Sequence, residues 1–391
     1  MSLSGGCVIA GIGQTPFTRG TEKSTVGLHL DAALEAIADA GLKPSDIDGV
    51  MPNELAGTIA EDFIVNLGLE NVTFSSTMRH GGASLLSAVK SACLAVHTGV
   101  AKHVLLVAGR RGFSQQRMSK ASEGTIPPHP LFREFNEFES PFGNTAPLQW
   151  FAPAAMRHMH EFGTTSEQLG RIALTCREHA NLNPRALMHD KKMTMEDYLA
   201  SPMIADPYRK FDCSLETDGA TAFVITSAER GRDLKKAGVP ILGLGEGHGT
   251  PPTSMTHKRD MTKVEGIEQA GKQAFEMAGL KPRDISSVQL YDAFTWVVLS
   301  TLEDLGFCQK GEGGAFVESG VLGLNGGLPL NTSGGLLSEG HCSGANLLSE
   351  AVRQLRGEVE PNRQISNCKN ILISGEGHFH EGAVAILGRP V

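Results

Sequence analysis

The segment "TMRHGGASLLSAVKSACLAV", Thr77 to Val96, reads as a Gly-rich turn that opens an amphipathic helix. A helix start of this kind presents backbone N–H groups and the positive end of the helix dipole, and many α/β enzymes hold an anion or a nucleophile there. Gly81, Gly82 and Ala83 form the turn, with no thiol among them. Anion stabilisation is within its chemistry; nucleophilic attack by a turn cysteine is not. Other reactive side chains stand in three further segments: Tyr291 in "YDAF", His341 and Cys342 in "SEGHCSGAN", and His378 and His380 in "GEGHFHEG". His378 and His380 are spaced to share one face of a strand. No Cys or carboxylate joins them in a recognisable ligand spacing, so no metal site is expected. "GIGQTPF" begins like a dinucleotide fingerprint but lacks the third glycine and the downstream acid, which argues against a nicotinamide cofactor.

The elements that must position these residues occur twice. "AGLKPSDIDGV" at Ala40 to Val50 returns as "AGLKPRDISSV" at Ala278 to Val288. Three weaker echoes follow in the same order: "GASLLSAV" from Gly82 with "GANLLSEAV" from Gly344, "KHVLLVAG" from Lys102 with "KNILISG" from Lys369, and "DGATAFVI" from Asp218 with "EGAVAIL" from Glu381. Self-similarity of this length points to an internal duplication. Each half reads strand, helix, short strand, Gly-led helix, apolar strand and final strand, the pattern of helices packed on a mainly parallel sheet.

The expected α/β architecture is a five-layer αβαβα sandwich of two duplicated sheet-and-helix halves, 1–235 and 236–391. The Gly-led helices lie at the centre, with their N-termini near Gly82 and Gly344 directed at a shared site. The first half carries an insertion, about 111–210. Within it, Gly112 to Pro153 reads as a long functional or interface loop and Met156 to Met203 as helical.

Composition bounds the function. With 35 Lys+Arg against 43 Asp+Glu, a formal charge of −8 argues against non-specific binding to nucleic acid or anionic membranes. Seven cysteines occur without a C-x-x-C pair, no apolar run is long enough to span a membrane, and the first residues do not read as a signal peptide. These features lead to the expectation of a reduced, cytoplasmic protein.

The segments "AGIGQTPF", "DGATAFVITSAERG", "YDAFTWVVLSTLEDLGF", "NTSGGLLSEGHCSGAN" and "GEGHFHEGAVAILGR" together resemble the thiolase superfamily over essentially the whole chain. The likeness is strongest to sterol-carrier-protein-type thiolases and thiolase-like lipid-transfer proteins. It implies that His341 addresses the thioester carbonyl. It also implies that Gly82 stands where a thiolase carries its acyl-accepting Cys, and that Cys93 lies in the core. Tyr291 replaces the usual Asn or His, and the Cys-Gly-Gly-Gly-type motif has become "SGEGHFHEG". Steroid side-chain aldolases, which cleave a β-hydroxyacyl-CoA by a retro-aldol reaction, share the missing nucleophile and the Tyr.

The resemblance therefore implies a carbon–carbon lyase with Tyr291 as base, His341 as oxyanion donor and His378 or His380 as an alternative proton carrier. Gly82, Arg79, His80, Asp292, Gly340 and Gly377 are expected around the substrate. An unperturbed phenol titrates near pH 10, so a base at Tyr291 needs a relay or a lowered pKa, for which positive helix ends and a neighbouring His are the expected means. No cofactor is implied beyond the coenzyme A of the substrate. A homodimer and a small OB-fold partner that accommodates the acyl-CoA are implied. Two alternatives stand beside the lyase: an acetyl-CoA acyltransferase using Cys342 or an acyl donor held by another subunit, and a non-catalytic acyl-CoA- or lipid-binding subunit. Arg110 and Arg111, after "HVLLVAG", are read either as a contact to a CoA phosphate or as a solvated loop end.

Overall fold

The computed structural model describes residues 3–52, 57–115, 117–123, 137–249, 260–377 and 381–390. Nine strands are introduced in chain order: β1 Cys7–Gln14, β2 Gly49–Pro52, β3 Phe74–Ser75, β4 His103–Arg111, β5 Asp218–Ser227, β6 Val239–His248, β7 Ser287–Gln289, β8 Asn370–Gly377 and β9 Glu381–Gly388. The helices that matter to the site are α1 Thr25–Ala40, α2 Ser84–His97, α3 Pro147–Phe162, α4 Ser166–Ala180, α5 Glu265–Ala278, α6 Thr295–Asp304, α7 Gly335–Ser338 and α8 Ala345–Arg356.

The longest sequence echo is a repeated helix stop. α1 ends at Gly41 with φ +75° and α5 at Gly279 with φ +66°, the left-handed conformation that glycine adopts without steric cost. After each comes a short 3₁₀ turn led by Pro44 or Pro282. Asp46 closes the first turn by accepting the Lys43 N–H at 2.8 Å, and Asp284 closes the second by accepting the Lys281 N–H at 2.8 Å. Identical local chemistry thus feeds β2 and β7 into equivalent places.

Among the described residues the strands form one sheet in the order β3-β2-β4-β5-β1-β6-β9-β8-β7. Counted outward from the central β1–β6 pair, the halves match: β1-β5-β4-β2 beside β6-β9-β8-β7. The sheet is mixed, not mainly parallel. β2 pairs parallel with β3 and β4, and β7 with β8, while β4–β5, β5–β1, β1–β6, β6–β9 and β9–β8 are antiparallel. Helix-strand alternation conceals this. Only three residues separate β8 from β9, whereas a parallel crossover needs about a dozen.

α2 touches β4 and β5 of its own half and β8 and β9 of the other, and α8 likewise reaches β1 and β8. The sheet therefore bends around the two central helices, with α1 and α5 outside, giving the five-layer arrangement. The outer helices lie unusually close. A Cβ on Gly11 or Gly13 would sit 2.1 Å from the Ala36 or Ala32 carbonyl oxygen of α1, and one on Gly245 would sit 1.8 Å from that of Ala270 in α5. The glycines of "GIGQ" and "GLGEG" thus serve helix–sheet contact rather than phosphate binding.

In the insertion, the helical stretch expected from Met156 to Met203 starts earlier, at Pro147, where proline's missing N–H costs nothing, and it stops at Ala180, with turns following until a short helix at Met195–Leu199. Much of the expected Gly112 to Pro153 loop, residues 124–136, lies outside the described residues. Buried His158 of α3 meets Glu303 of α6 at 2.9 Å and Thr164 at 2.9 Å, and Glu303 also accepts the Gly311 and Gly313 N–H groups. This cluster fastens the insertion over the second half.

Replacing Gly245 by Ala forces β6 and α5 apart. The expected cost is about 1–3 kcal/mol or more, seen as a lower denaturation midpoint; an unchanged midpoint would contradict the contact.

Candidate active site

Two segments interlock to build the site. Asn331, held at φ +44°, accepts the Leu290 N–H at 2.7 Å and donates to the Leu290 carbonyl at 2.9 Å. The Asp292 carboxylate accepts the N–H groups of Leu336 at 2.8 Å and Leu337 at 3.1 Å, at the start of α7. Gly335, at φ +62°, passes so close to Asp292 that a Cβ would sit 2.2 Å from Oδ2. "NTSGGLLSEGH" is therefore clamped against "LYD", which brings His341 to Tyr291. Burial raises the Asp292 carboxyl to about 6.

The Tyr291 N–H donates to Ser374 Oγ at 3.0 Å, and the ring lies between the starts of the two central helices. A Cβ built on Gly82 would fall 2.2 Å from Tyr291 Cζ and 2.5 Å from its Oη; one on Gly344 would fall 3.1 Å from Cδ2. The phenol thus fills the volume that a side chain at position 82 would need. Neither α2 nor α8 carries a side-chain cap, so both helix starts direct their dipoles at this ring.

His341 is gripped through its backbone by Thr217 Oγ1, which accepts its N–H at 2.9 Å and donates to its carbonyl at 3.1 Å. Arg110 Nη2 and Ser214 Oγ each lie 3.1 Å from Nδ1, and Tyr291 Oη lies 3.4 Å from Nε2. A guanidinium can only donate, so Nδ1 accepts and the proton of the neutral ring sits on Nε2. Burial, then the Arg110 charge, hold the imidazole well below its ordinary pKa. His341 is thus a neutral donor aimed at the phenol.

Tyr291 departs from expectation. Its pKa is pushed up to about 12 by burial, with Arg110 opposing the rise and Glu376 and Asp292 adding to it. The positive helix ends and the His do not produce a phenolate; the resting group is a protonated phenol. Glu376, buried and hydrogen-bonded by Thr301, is a carboxyl group at this site that sequence reasoning missed.

The remaining expected residues divide. Cys342 is fully buried, its thiol donates to the Ala108 carbonyl at 3.2 Å, and burial raises it to about 12, which removes the thiolate a nucleophile needs. Asp292 is turned into α7, away from any substrate. Gly340 abuts Phe17, with a Cβ position 2.3 Å from the ring, and Gly377 abuts the His80 carbonyl at 1.9 Å; both are buried packing positions. Arg79 is exposed, and His80 turns toward Ser87 at 3.1 Å. His378 and His380 lie outside the described residues. Arg110 contacts His341 rather than standing in a solvated loop. Nothing in its sequence setting signals that, since only the fold brings the end of β4 to the loop after α7.

Residues 247–389 match the family described as Thiolase C-terminal domain-like. The chain is 38% identical to a steroid side-chain-cleaving aldolase of Thermomonospora curvata, covering 95% of each chain. It is 36% identical to the 17-hydroxy-3-oxo-4-pregnene-20-carboxyl-CoA lyase of Mycobacterium tuberculosis, over 95% of this chain and 96% of the relative. Among solved structures, the Ltp2-ChsH2(DUF35) aldolase superposes with a TM-score of 0.93 at 35% identity, over 100% of this chain and 99% of that one.

Nitrogen-15 NMR of labelled histidine checks the tautomer. His341 is expected neutral with its proton on Nε2 at pH 6.5, the ordinary midpoint, and Arg110→Gln is expected to shift its titration upward because a positive neighbour is lost. The unfolded chain takes up this proton and the folded chain does not, so His341 makes the fold less stable as pH falls below 6.5. An imidazolium at that pH would contradict the assignment.

Proposed function

Because the chain belongs to the thiolase-like family that holds sterol-carrier-protein-type thiolases and steroid side-chain aldolases, we propose that its site cleaves a β-hydroxyacyl-CoA by a retro-aldol reaction. The observation that carries this reading is the phenol of Tyr291 seated over Gly82. A thiolase uses that space for a thiol, whereas retro-aldol cleavage needs proton transfer and enolate stabilisation but no covalent attack.

Donors of two kinds, a side chain and backbone N–H groups, face the place of reaction. Charge that develops on the thioester oxygen meets His341 Nε2–H and the backbone N–H groups at the starts of α2 and α8. Donors so placed typically contribute about 10²–10³ in rate each. The β-hydroxyl proton passes to Tyr291 Oη while the phenolic proton passes to the α-carbon. The Cα–Cβ electron pair stays with Cα, and Cβ leaves as a carbonyl. Proton uptake and release at Tyr291 balance, so its raised pKa is no obstacle and no free phenolate accumulates.

The relatives' names support a steroid-type acyl group, and CoA enters as part of the substrate. The name of the solved aldolase supports a DUF35-type partner, which we extend to a small OB-fold subunit that shelters the acyl-CoA. A homodimer completes the assembly; among the described residues β3 is an end strand of the sheet, the kind of position at which chains can pair. The seven free thiols suit a reduced, cytoplasmic setting, and no helix among the described residues is long and apolar enough to cross a membrane. A transferase that used Cys342 as its nucleophile is disfavoured by the burial of that thiol, which raises its pKa.

The test is turnover of a β-hydroxyacyl-CoA by the full chain with its co-purified partner, following the carbonyl product and the shortened thioester. Tyr291→Phe is expected to lose about 10²–10⁴ in kcat and His341→Gln about 10²–10³, with Cys342→Ala unchanged. Full activity in Tyr291→Phe would overturn the proposal, and no turnover by the wild type would leave a binding subunit.

A further inference from the structure

Beside the catalytic turn, three side chains from the two halves of the chain converge on one point. Glu246 and His248 alternate along the end of β6 and so share a face. His80 immediately precedes Gly81 in the turn that opens α2. His248 Nε2 lies 3.1 Å from Glu246 Oε1, and His80 Nδ1 lies 3.8 Å from the same oxygen. All three candidate ligand atoms fall within 4.8 Å of one another. The imidazoles meet edge to face at 4.9 Å between centroids rather than stacking.

We propose that His80, Glu246 and His248 form a binding site for a divalent cation of the zinc class, with water as the remaining ligand. Zinc holds nitrogen and carboxylate ligands at about 2.0–2.2 Å in a tetrahedron, which places ligand atoms roughly 3.3 Å apart. The separations found here bracket that value, so small side-chain rotations close the site. Two imidazoles and one carboxylate form a donor set that zinc takes, and the half-exposed position admits the ion from solvent.

Neighbouring groups are compatible. Lys90 Nζ lies 3.9 Å from Glu246 Oε2, the other carboxylate oxygen, and this partly exposed pair is weak. Ser87 Oγ, 3.1 Å from His80 Nδ1, is a hydroxyl that can rotate away.

A cation here ties the turn that carries Gly82 to a strand of the other half, fixing the N-terminus of α2 against the sheet. This inference does not depend on the reaction proposed above, and its readout is metal rather than turnover.

The full chain, stripped with chelator, is titrated with Zn²⁺ by calorimetry and with Co²⁺ by absorption spectroscopy. One ion per chain is expected, with a Co²⁺ spectrum of low coordination number. His248→Gln and Glu246→Gln are each expected to weaken binding on the order of 10²-fold or more while leaving metal-free unfolding curves unchanged. Failure of the wild-type chain to bind Zn²⁺ would overturn the site. So would equal binding by both variants, or a Co²⁺ complex whose X-ray absorption lacks imidazole scattering.

Discussion

A single volume at the tips of the two central helices governs this molecule. A side chain at position 82 and the phenol of Tyr291 cannot both occupy it, since even a methyl on Gly82 would fall within 2.2 Å of the ring. Glycine at 82 is what admits the tyrosine. One exchange of occupant leaves no side chain at 82 for a covalent route and places a phenol, the proposed proton carrier, at the same point. The helix dipoles, arranged around that point by the fold, remain in use.

The surroundings make the occupant precise. Asn331 and Asp292 fasten the His341 segment to the Tyr291 segment through backbone hydrogen bonds, and Thr217 grips His341 from β5's leading edge. Buried Glu339 holds the same loop by accepting from Ser333 at 2.7 Å and Asn346 at 2.9 Å. Such hydrogen-bonded polar groups resist displacement because breaking a bond leaves its partner unsatisfied in a dry interior. Arg110 then sets the imidazole's electronic state from its far side. The result is a line of donors, Arg110 to His341 to Tyr291, ending at the tips of the two central helices, with burial keeping both aromatic groups neutral.

The duplication, the layer order and the central helix pair were legible in the sequence because "AGLKP" encodes a helix stop and a turn by local chemistry alone. Tyr291 and His341 were legible only through family resemblance, as neither spacing nor periodicity joins residues fifty positions apart. The mixed sense of the sheet was hidden because alternating helices and strands do not specify strand direction. Arg110, Ser214 and Glu376 were hidden for a related reason: each lies on a different strand or loop, and only tertiary packing brings it to the site. The direction of the Tyr291 shift was missed because helix dipoles were weighed without the larger effect of complete burial. Cys342 reads in the sequence as a small buried filler first and a relocated nucleophile second, and its burial beside the Ala108 carbonyl fits the filler.

Isotope incorporation tests the non-covalent route most directly. Cleavage of a β-hydroxyacyl-CoA in D₂O is followed by mass spectrometry of the product and of enzyme quenched during turnover. The account predicts a single deuterium at the α-carbon of the released acyl-CoA and an enzyme of unchanged mass. An acyl group on any cysteine of the quenched enzyme, or an α-carbon without deuterium, would contradict it.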